Sequence, residues 1–305
     1  MDELFPLSYT HNISDIHSGG FSREEEKNMG FEENQITQNI ATLPELVTSH
    51  KKNFLKNIEK YIEIHLANNS SYTETEKNIF INKNTIVHSS TIFDTTNGPI
   101  IIEAGATILP FCFLVGPLRI DEHVTINPHS HIACSYIGTF SKVGGEVVNS
   151  VIECYSNKGH YGYIGDSYIG SWVNIGGGTS TSNLKNTYGT IKLHGVETGE
   201  QFLGSIICDY VKTAVNTSIY TGKVIGIGSH IYGTVTNDVP SFTNYLSKDN
   251  IILLPFEVAL KTAERMALRR NITITEDIKK VLLYAYERTE GDRKDGNVRE
   301  GKLEF

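Results

Sequence analysis

The sequence predicts an all-β fold: a parallel β-helix of hexapeptide repeats, with an N-terminal helix and a C-terminal helical pair. Three observations predict it. Aliphatic residues recur every six positions at Ile102, Ile108, Leu114, Ile120, Ile126 and Ile132, and again at Ile207, Ile219, Ile225 and Ile231 with Thr213 in step. Turn-forming residues stand between the beats. Helix-period patterns occur only outside them.

Six is neither the helical period of 3.6 nor the strand alternation of 2. It is the length of one short strand plus one corner, and stacked units of that length form a parallel β-helix. Each flat face sends one aliphatic residue inward, and each corner needs a turn residue. The piece IIEAGA, the turn Val115-Gly116-Pro117 and the Ile-Gly pairs at 137–138, 164–165, 169–170, 175–176 and 225–226 supply both. Between the long runs the phase slips, yet Ile137 with Val143 and Ile169 with Ile175 keep the spacing.

In chain order, residues 1–42 are polar and irregular and predict no regular element. Residues 43–70 predict an amphipathic linker helix, with Leu46, Phe54, Ile58, Ile62 and Leu66 mostly four apart between lysines. The solenoid is expected over 75–247. The stretch His194–Gln201 breaks the beat and is expected as a protruding loop. Residues 248–290 predict helices. Pro255 suits a first turn, and Phe256–Arg270 carries Val258, Ala259, Thr262, Met266 and Ala267 on one stripe. Thr273 or Thr275 caps a second helix that buries Ile278, Val281, Leu282 and Ala285. This pair is expected to cover one end of the solenoid or to pack on a neighbouring subunit, because an open coil exposes strand edges and core. Residues 291–305 are charged and expected to be disordered.

Composition narrows the function. The net charge is −8 and no long basic block occurs, which disfavours nucleic acid as a partner. Cys112, Cys134, Cys154 and Cys208 are scattered and unpaired in sequence, as in a reduced, cytoplasmic protein. The start MDELFPLSYT does not read as a signal peptide. No run of 18 apolar residues predicts a membrane span.

Several side chains stand out. His160 follows Lys158-Gly159 and lies off the apolar beat. Spacing alone leaves it open between a catalytic base and a plain exposed corner histidine. His123, His129 and His131 cluster in DEHVTINPHSHIA, too compactly for a three-histidine zinc site, and read as surface histidines with no metal. Trp172 reads as a packing residue at a corner or subunit contact. Gly176-Gly177-Gly178 lacks a following Lys-Ser/Thr and reads as a tight corner.

Hexapeptide repeats of this type resemble the left-handed β-helix of acyltransferases. Acyl transfer from a thioester to an amine needs a base for the attacking nitrogen, a donor for the oxyanion, and close positioning. The segment Gly159-His160-Tyr161-Gly162-Tyr163-Ile164-Gly165-Asp166, then Ile169-Gly170, Val173-Asn174-Ile175-Gly176, Gly178-Thr179 and Asn183 is similar to a known family. That family is the bifunctional N-acetylglucosamine-1-phosphate uridylyltransferase/glucosamine-1-phosphate acetyltransferases, in their C-terminal acetyltransferase half. Phe93–Pro99, Tyr155–His160 and Ser182–Asn186 resemble its variant branch, and the likeness spans about residues 75–288.

The resemblance implies a left-handed β-helix and a homotrimer. It implies His160 as the general base, Tyr163 at the sugar phosphate, and Asn174 and Asn183 at the amino sugar. A glutamate lining the sugar pocket falls on Glu146, and a distal lysine on Lys185 or Lys192. Acetyl-CoA, or another acyl-CoA, is implied as co-substrate in a groove between subunits, with Thr213 and Tyr232 as contacts. Tyr232 departs from the family, which usually has a small residue there. Leu4–Thr10 looks like the opening of the family's nucleotidyltransferase domain. The residues beyond Thr10 do not continue that likeness, so residues 1–42 read as a vestige without nucleotidyltransferase activity. The implied function is a CoA-dependent N-acetyltransferase of an amino sugar, phosphorylated or nucleotide-linked. An O-acyltransferase, an acyltransferase of a different amine, and a non-catalytic trimeric solenoid that binds a sugar nucleotide are the alternatives.

Overall fold

A computed structural model describes residues 4–11, 15–28, 30, 41–66 and 69–303. The beat builds three faces of mostly parallel strands, stacked in about nine turns. Face 1 runs through Ile79–Asn82, Ile100–Ile102, Leu118–Ile120, Tyr136–Ile137, Val151–Ile152, Tyr168–Ile169, Ile206–Ile207 and Val224–Ile225. Face 2 runs from Ile86–Val87 through Lys142–Val143 and Asn157–Lys158. It passes Asn174 by isolated bridges and continues in Lys212–Thr213, His230–Ile231 and Thr243–Ser247. Face 3 runs from Ile92–Asp94 through His131–Ala133, Glu146–Val148 and Tyr163–Gly165, and a further sheet begins at Ser180–Thr181. Register carries the beat from coil to coil: Ile102 stands on Ile120, Ile120 on Ile137, and Ile137 on Ile152. Every beat residue is buried. Each buried isoleucine contributes about 1.5–3 kcal/mol.

Face 1 is also buried on its outside. Its outward row is Ile101, Arg119, Tyr136, Val151, Tyr168, Ile206 and Val224, all buried. The cover is the N-terminal segment and helix α2 (Leu43–Tyr61). Glu45 starts α2 by accepting from the backbone N–H of Thr42 at 3.1 Å, and Leu46, Phe54 and Ile58 face inward. The polar, irregular reading of residues 1–42 is corrected for their described part. A short hairpin pairs His17–Ser18 with Phe21–Ser22, helix α1 follows (Arg23–Asn28), and Leu4, Leu7, Ile16 and Phe21 are buried. A Cβ on Gly20 would lie 2.0 Å from the Phe54 ring, so this turn needs glycine.

The corner between faces 1 and 2 departs from ordinary turn chemistry. His123, Phe140, Tyr155, Trp172 and Tyr210 occupy the left-handed region there, with φ of 56–61°. Their rings stack coil on coil, with centroids 4.8 Å, 5.1 Å, 4.4 Å and 6.4 Å apart in turn. Stacking worth about 0.5–1.5 kcal/mol a pair offsets the backbone cost. Trp172 is thus a corner residue. His129 stacks on Phe111 and His131 on Phe113.

The C-terminal helices are α3 (Phe256–Leu268), capped at Pro255, and α4 (Glu276–Arg288), where Thr275 Oγ1 accepts from Ile278 N–H at 3.3 Å. Their stripes match the expected ones only in part. Ala263 and Ala267 are buried in α3 and Leu282 and Ala285 in α4, while Val258 and Val281 are exposed. Small residues let the helices lie close on the solenoid. The disordered tail expected over 291–305 is corrected for its described part, residues 291–303. Helix α5 (Glu290–Asp295) buries Arg293, and Arg299 N–H bonds the Ile251 carbonyl. The expected loop at His194–Gln201 is one part of an insertion after Ser180–Thr181. Its tip is exposed, but Ile191, Leu193 and Leu203 are buried in the apolar cluster under the N-terminal segment.

Candidate active site

His160 lies at the corner between faces 2 and 3, directly after Asn157–Lys158. Its side chain is exposed. Among the described residues, nothing bonds its ring nitrogens. The backbone beneath it is held firmly. Lys158 is buried, and its Nζ donates to the carbonyls of Gly144 at 2.6 Å, His160 at 2.8 Å and Gly162 at 2.9 Å. Burial lowers the Lys158 pKa to about 8, with Glu146 opposing the shift. The next coil's corner is the glycine run. A Cβ on Gly176 would stand 2.4 Å from the Ala214 oxygen, and one on Gly177 would stand 3.4 Å from His160 Cβ. The run is therefore a tight corner roofing His160.

Face 3 gathers a second group. Glu146 and Tyr163 are register neighbours, and His131 lies on the other side of Glu146 with Nδ1 3.5 Å from its carboxylate. Asn183 Nδ2 donates to the Tyr163 hydroxyl at 3.0 Å and to Asp166 Oδ2 at 2.6 Å. Both amide hydrogens are thus engaged, and Asn183 Oδ1 is left to accept from a ligand N–H or O–H. Burial first, then the charges of Asp166 and Glu146, push the Tyr163 hydroxyl up to about 12. Tyr163 stays a neutral donor at working pH.

Two of these residues escaped the sequence reading. Asp166 is buried at the foot of the Tyr163–Asn183 pair, in a left-handed corner (φ 47°). Lys51 of α2 reaches Asp166 Oδ1 at 3.0 Å and the Phe202 carbonyl at 3.0 Å. Asp166 stands in the quoted Ile-Gly-Asp stretch, and that signal could have found it. Lys51 is one of several lysines on the polar side of α2, and nothing local distinguishes it.

Other expected residues lie elsewhere. Asn174 is on face 2, where its Oδ1 accepts from Asn157 Nδ2 at 3.0 Å, so the two asparagines sit on different faces. Lys185 Nζ donates to the Thr190 carbonyl within the insertion, and Lys192 pairs with Glu197 at 2.8 Å on its exposed hairpin. Neither is brought to Tyr163. Thr213, the expected CoA contact, lies inside the coil. It occupies the inward beat, is buried, and its hydroxyl bonds Gly176 N–H and Thr179 Oγ1, each at 2.9 Å. Tyr232 follows His230–Ile231 and is half-buried, its backbone N–H on the Tyr245 carbonyl.

No family model matches the sequence. Among curated proteins, the chain is 37% identical over 145 residues to the bifunctional protein GlmU of Ralstonia pickettii, covering 46% of this chain and 29% of that protein. It is 32% identical over 174 residues to GlmU of Paracoccus denitrificans, covering 56% of this chain and 35% of the other. The chain resembles the acetyltransferase half of the GlmU proteins. A bifunctional sugar-1-phosphate nucleotidylyltransferase/acetyltransferase of Sulfurisphaera tokodaii is 34% identical over 148 residues, covering 46% of this chain and 37% of that protein. The chain thus spans about a third of the length of the curated relatives it matches. Among solved structures, the UDP-N-acetylglucosamine acyltransferase of Francisella novicida overlays at a TM-score of 0.34 and 16% identity, covering 70% of this chain and 86% of that one. Among the described residues, no helix is long and apolar enough to cross a membrane, and no cluster of three or more metal-type ligands occurs.

Proposed function

We propose that this protein is a CoA-dependent N-acetyltransferase of an amino sugar, phosphorylated or nucleotide-linked, that works as a homotrimer in the cytoplasm. The observation that carries the reading is the His160 corner: an exposed imidazole whose ring nitrogens are unengaged among the described residues, on a backbone clamped by Lys158 and roofed by glycine. His160 takes the proton from the attacking amine. Tyr163 donates to a substrate oxygen, Asn183 Oδ1 accepts from the sugar, and Glu146 lines the same face. Backbone N–H groups near the corners meet the oxyanion. Asn174 lies around the corner from Tyr163, which fits a site completed by an adjacent subunit, with the thioester between them and Tyr232 near it. These 305 residues carry out acyl transfer and not nucleotidyl transfer in this reading.

The test is thiol release from acetyl-CoA with glucosamine-1-phosphate, with His160→Ala beside the wild type. Release should need the sugar and fall about 10²–10⁴-fold in the variant. Near-normal release by His160→Ala would remove His160 from the mechanism. Release with alcohols but not amines would move the reading to O-acyl transfer.

A further inference from the structure

We infer that the cleft between the end of α3 and face 2 is an anion site that takes a phosphate or diphosphate group. The cleft holds about 150 Å³ and is lined by Lys142, Tyr155, Trp172, Asn174, Arg269 and Arg270, among others. Two separate parts of the chain supply its cations. Lys142 stands on face 2, in register with Asn157, which bridges on to Asn174. Arg269 and Arg270 come from the end of α3, whose Ala263 and Ala267 are buried. Asn271 stops the helix there with φ 57°, a usual left-handed stop.

The chemistry is that of an anion receptor. The chain carries a net charge of −8, yet three cations meet here and, among the described residues, no carboxylate lines the cleft. Among the described residues, none of the three is in an ion pair. Burial and the neighbouring Arg269 both weaken proton binding by Arg270, as expected where like charges crowd without a counter-ion. Asn174 Oδ1 accepts from Asn157 Nδ2, which turns its own N–H groups to donation to a ligand oxygen. Tyr155 and Trp172 stack face to face at 4.4 Å, so the cleft meets their ring edges, the positive rim that suits an anion. Arginine's planar fork matches phosphate oxygens in pairs.

This rests on the acyl-transfer reading only for the source of the phosphate. The sugar acceptor and the CoA ester both carry one, and Asn174 joins the cleft to the proposed sugar site. Trp172 is the sole tryptophan, so its emission reports on the cleft without any turnover. The wild type would be titrated with pyrophosphate, with glucosamine-1-phosphate against glucosamine, and with CoA against dephospho-CoA. Arg269→Ala/Arg270→Ala and, on the opposite wall, Lys142→Ala would be titrated alongside. Lys280→Ala, an exposed lysine on α4, controls for net charge. A saturable response to phosphate ligands is expected, weakened at least about tenfold in both cleft variants and unchanged in Lys280→Ala, an effect of the size a charge-assisted hydrogen bond supplies. The ligand pair that discriminates names the source. No saturable response, or one that survives in both cleft variants, overturns the site. Acetyl transfer without a phosphate response sinks this site alone, whereas a phosphate response without transfer to any acceptor supports the site and sinks the acyl-transfer reading.

Discussion

Lys158 Nζ donates to the backbone carbonyl of His160 at 2.8 Å, from beneath the corner that displays the imidazole. The same ammonium holds Gly144 and Gly162, so its three N–H groups meet three carbonyls on two coils. His160 is thus a free surface side chain on a fixed backbone. That is the combination a base needs when it must meet substrate without being bonded to the protein.

Lys158→Met should remove the clamp. Each buried carbonyl left without a donor costs about 1–3 kcal/mol, so the melting temperature falls. A filler role would stop there. A positioning role also shows in the pH profile of turnover. With the Lys158 pKa lowered to about 8, deprotonation leaves two N–H groups for three carbonyls, and wild-type kcat should decline above that pH. Lys158→Met should be slower throughout and lack that decline. An unchanged alkaline limb in the variant would limit Lys158 to packing.

Tyr163→Phe should weaken acceptor binding more than turnover. The variant removes the donor to the ligand and the acceptor of Asn183 Nδ2. One lost hydrogen bond of about 1.4 kcal/mol is tenfold in KM for the sugar. Steady-state kinetics at saturating acetyl-CoA decide it. A fall in kcat with KM untouched would place Tyr163 at the reacting atoms instead.

The N-terminal cover is fastened by protonated histidines. His17 Nδ1 lies 2.9 Å from Glu153 and its Nε2 3.2 Å from Glu25, while His11 meets Asp209 at 2.8 Å. Burial alone would push His17 down, but Glu153 and Glu25 outweigh it and raise its pKa to about 10. Asp209 likewise raises His11 to about 9. An imidazole held above its ordinary 6.5 stabilises the fold fully below that value and loses the contribution as pH climbs through the raised one. The melting temperature should therefore drop from about pH 6.5 to about pH 10, and less steeply in His17→Gln. His17→Ala, which removes the charge partner of buried Glu153 and leaves it only the Tyr168 hydroxyl and a backbone N–H, should cost about 3–5 kcal/mol by denaturant titration. Equal pH slopes in wild type and His17→Gln would show that the cover is held by its apolar residues alone.

The legible and illegible parts of this chain divide by range. The beat is readable because every sixth side chain must enter the core, whatever else surrounds it. The same rule places Thr213 inside, where it is buried. The cover of face 1 is not readable, because its outward row includes Arg119 and Tyr136, whose partners in the cover lie far away in sequence. Arg119 is buried with Glu25 and the Gly20 carbonyl receiving it and Phe21 4.5 Å beneath it, all three in the cover. At the proposed site, His160, Tyr163 and Asn183 fall on one short stretch of sequence. Lys51 and Arg269 reach the solenoid from helices packed on it, and no local pattern announces where a helix docks.

The aromatic corner gives the sharpest stability test. Phe140 stacks between His123 and Tyr155 while holding φ at 61°. Phe140→Ala loses both stacks, about 0.5–1.5 kcal/mol each, and keeps the left-handed backbone cost of about 1–2 kcal/mol. Phe140→Gly loses the same stacks but relieves that cost. Urea titration should therefore rank wild type above Phe140→Gly, and Phe140→Gly above Phe140→Ala, the reverse of the usual alanine advantage. If alanine proves more stable than glycine, the corner is relaxed in solution and the ladder does not hold it in the left-handed region.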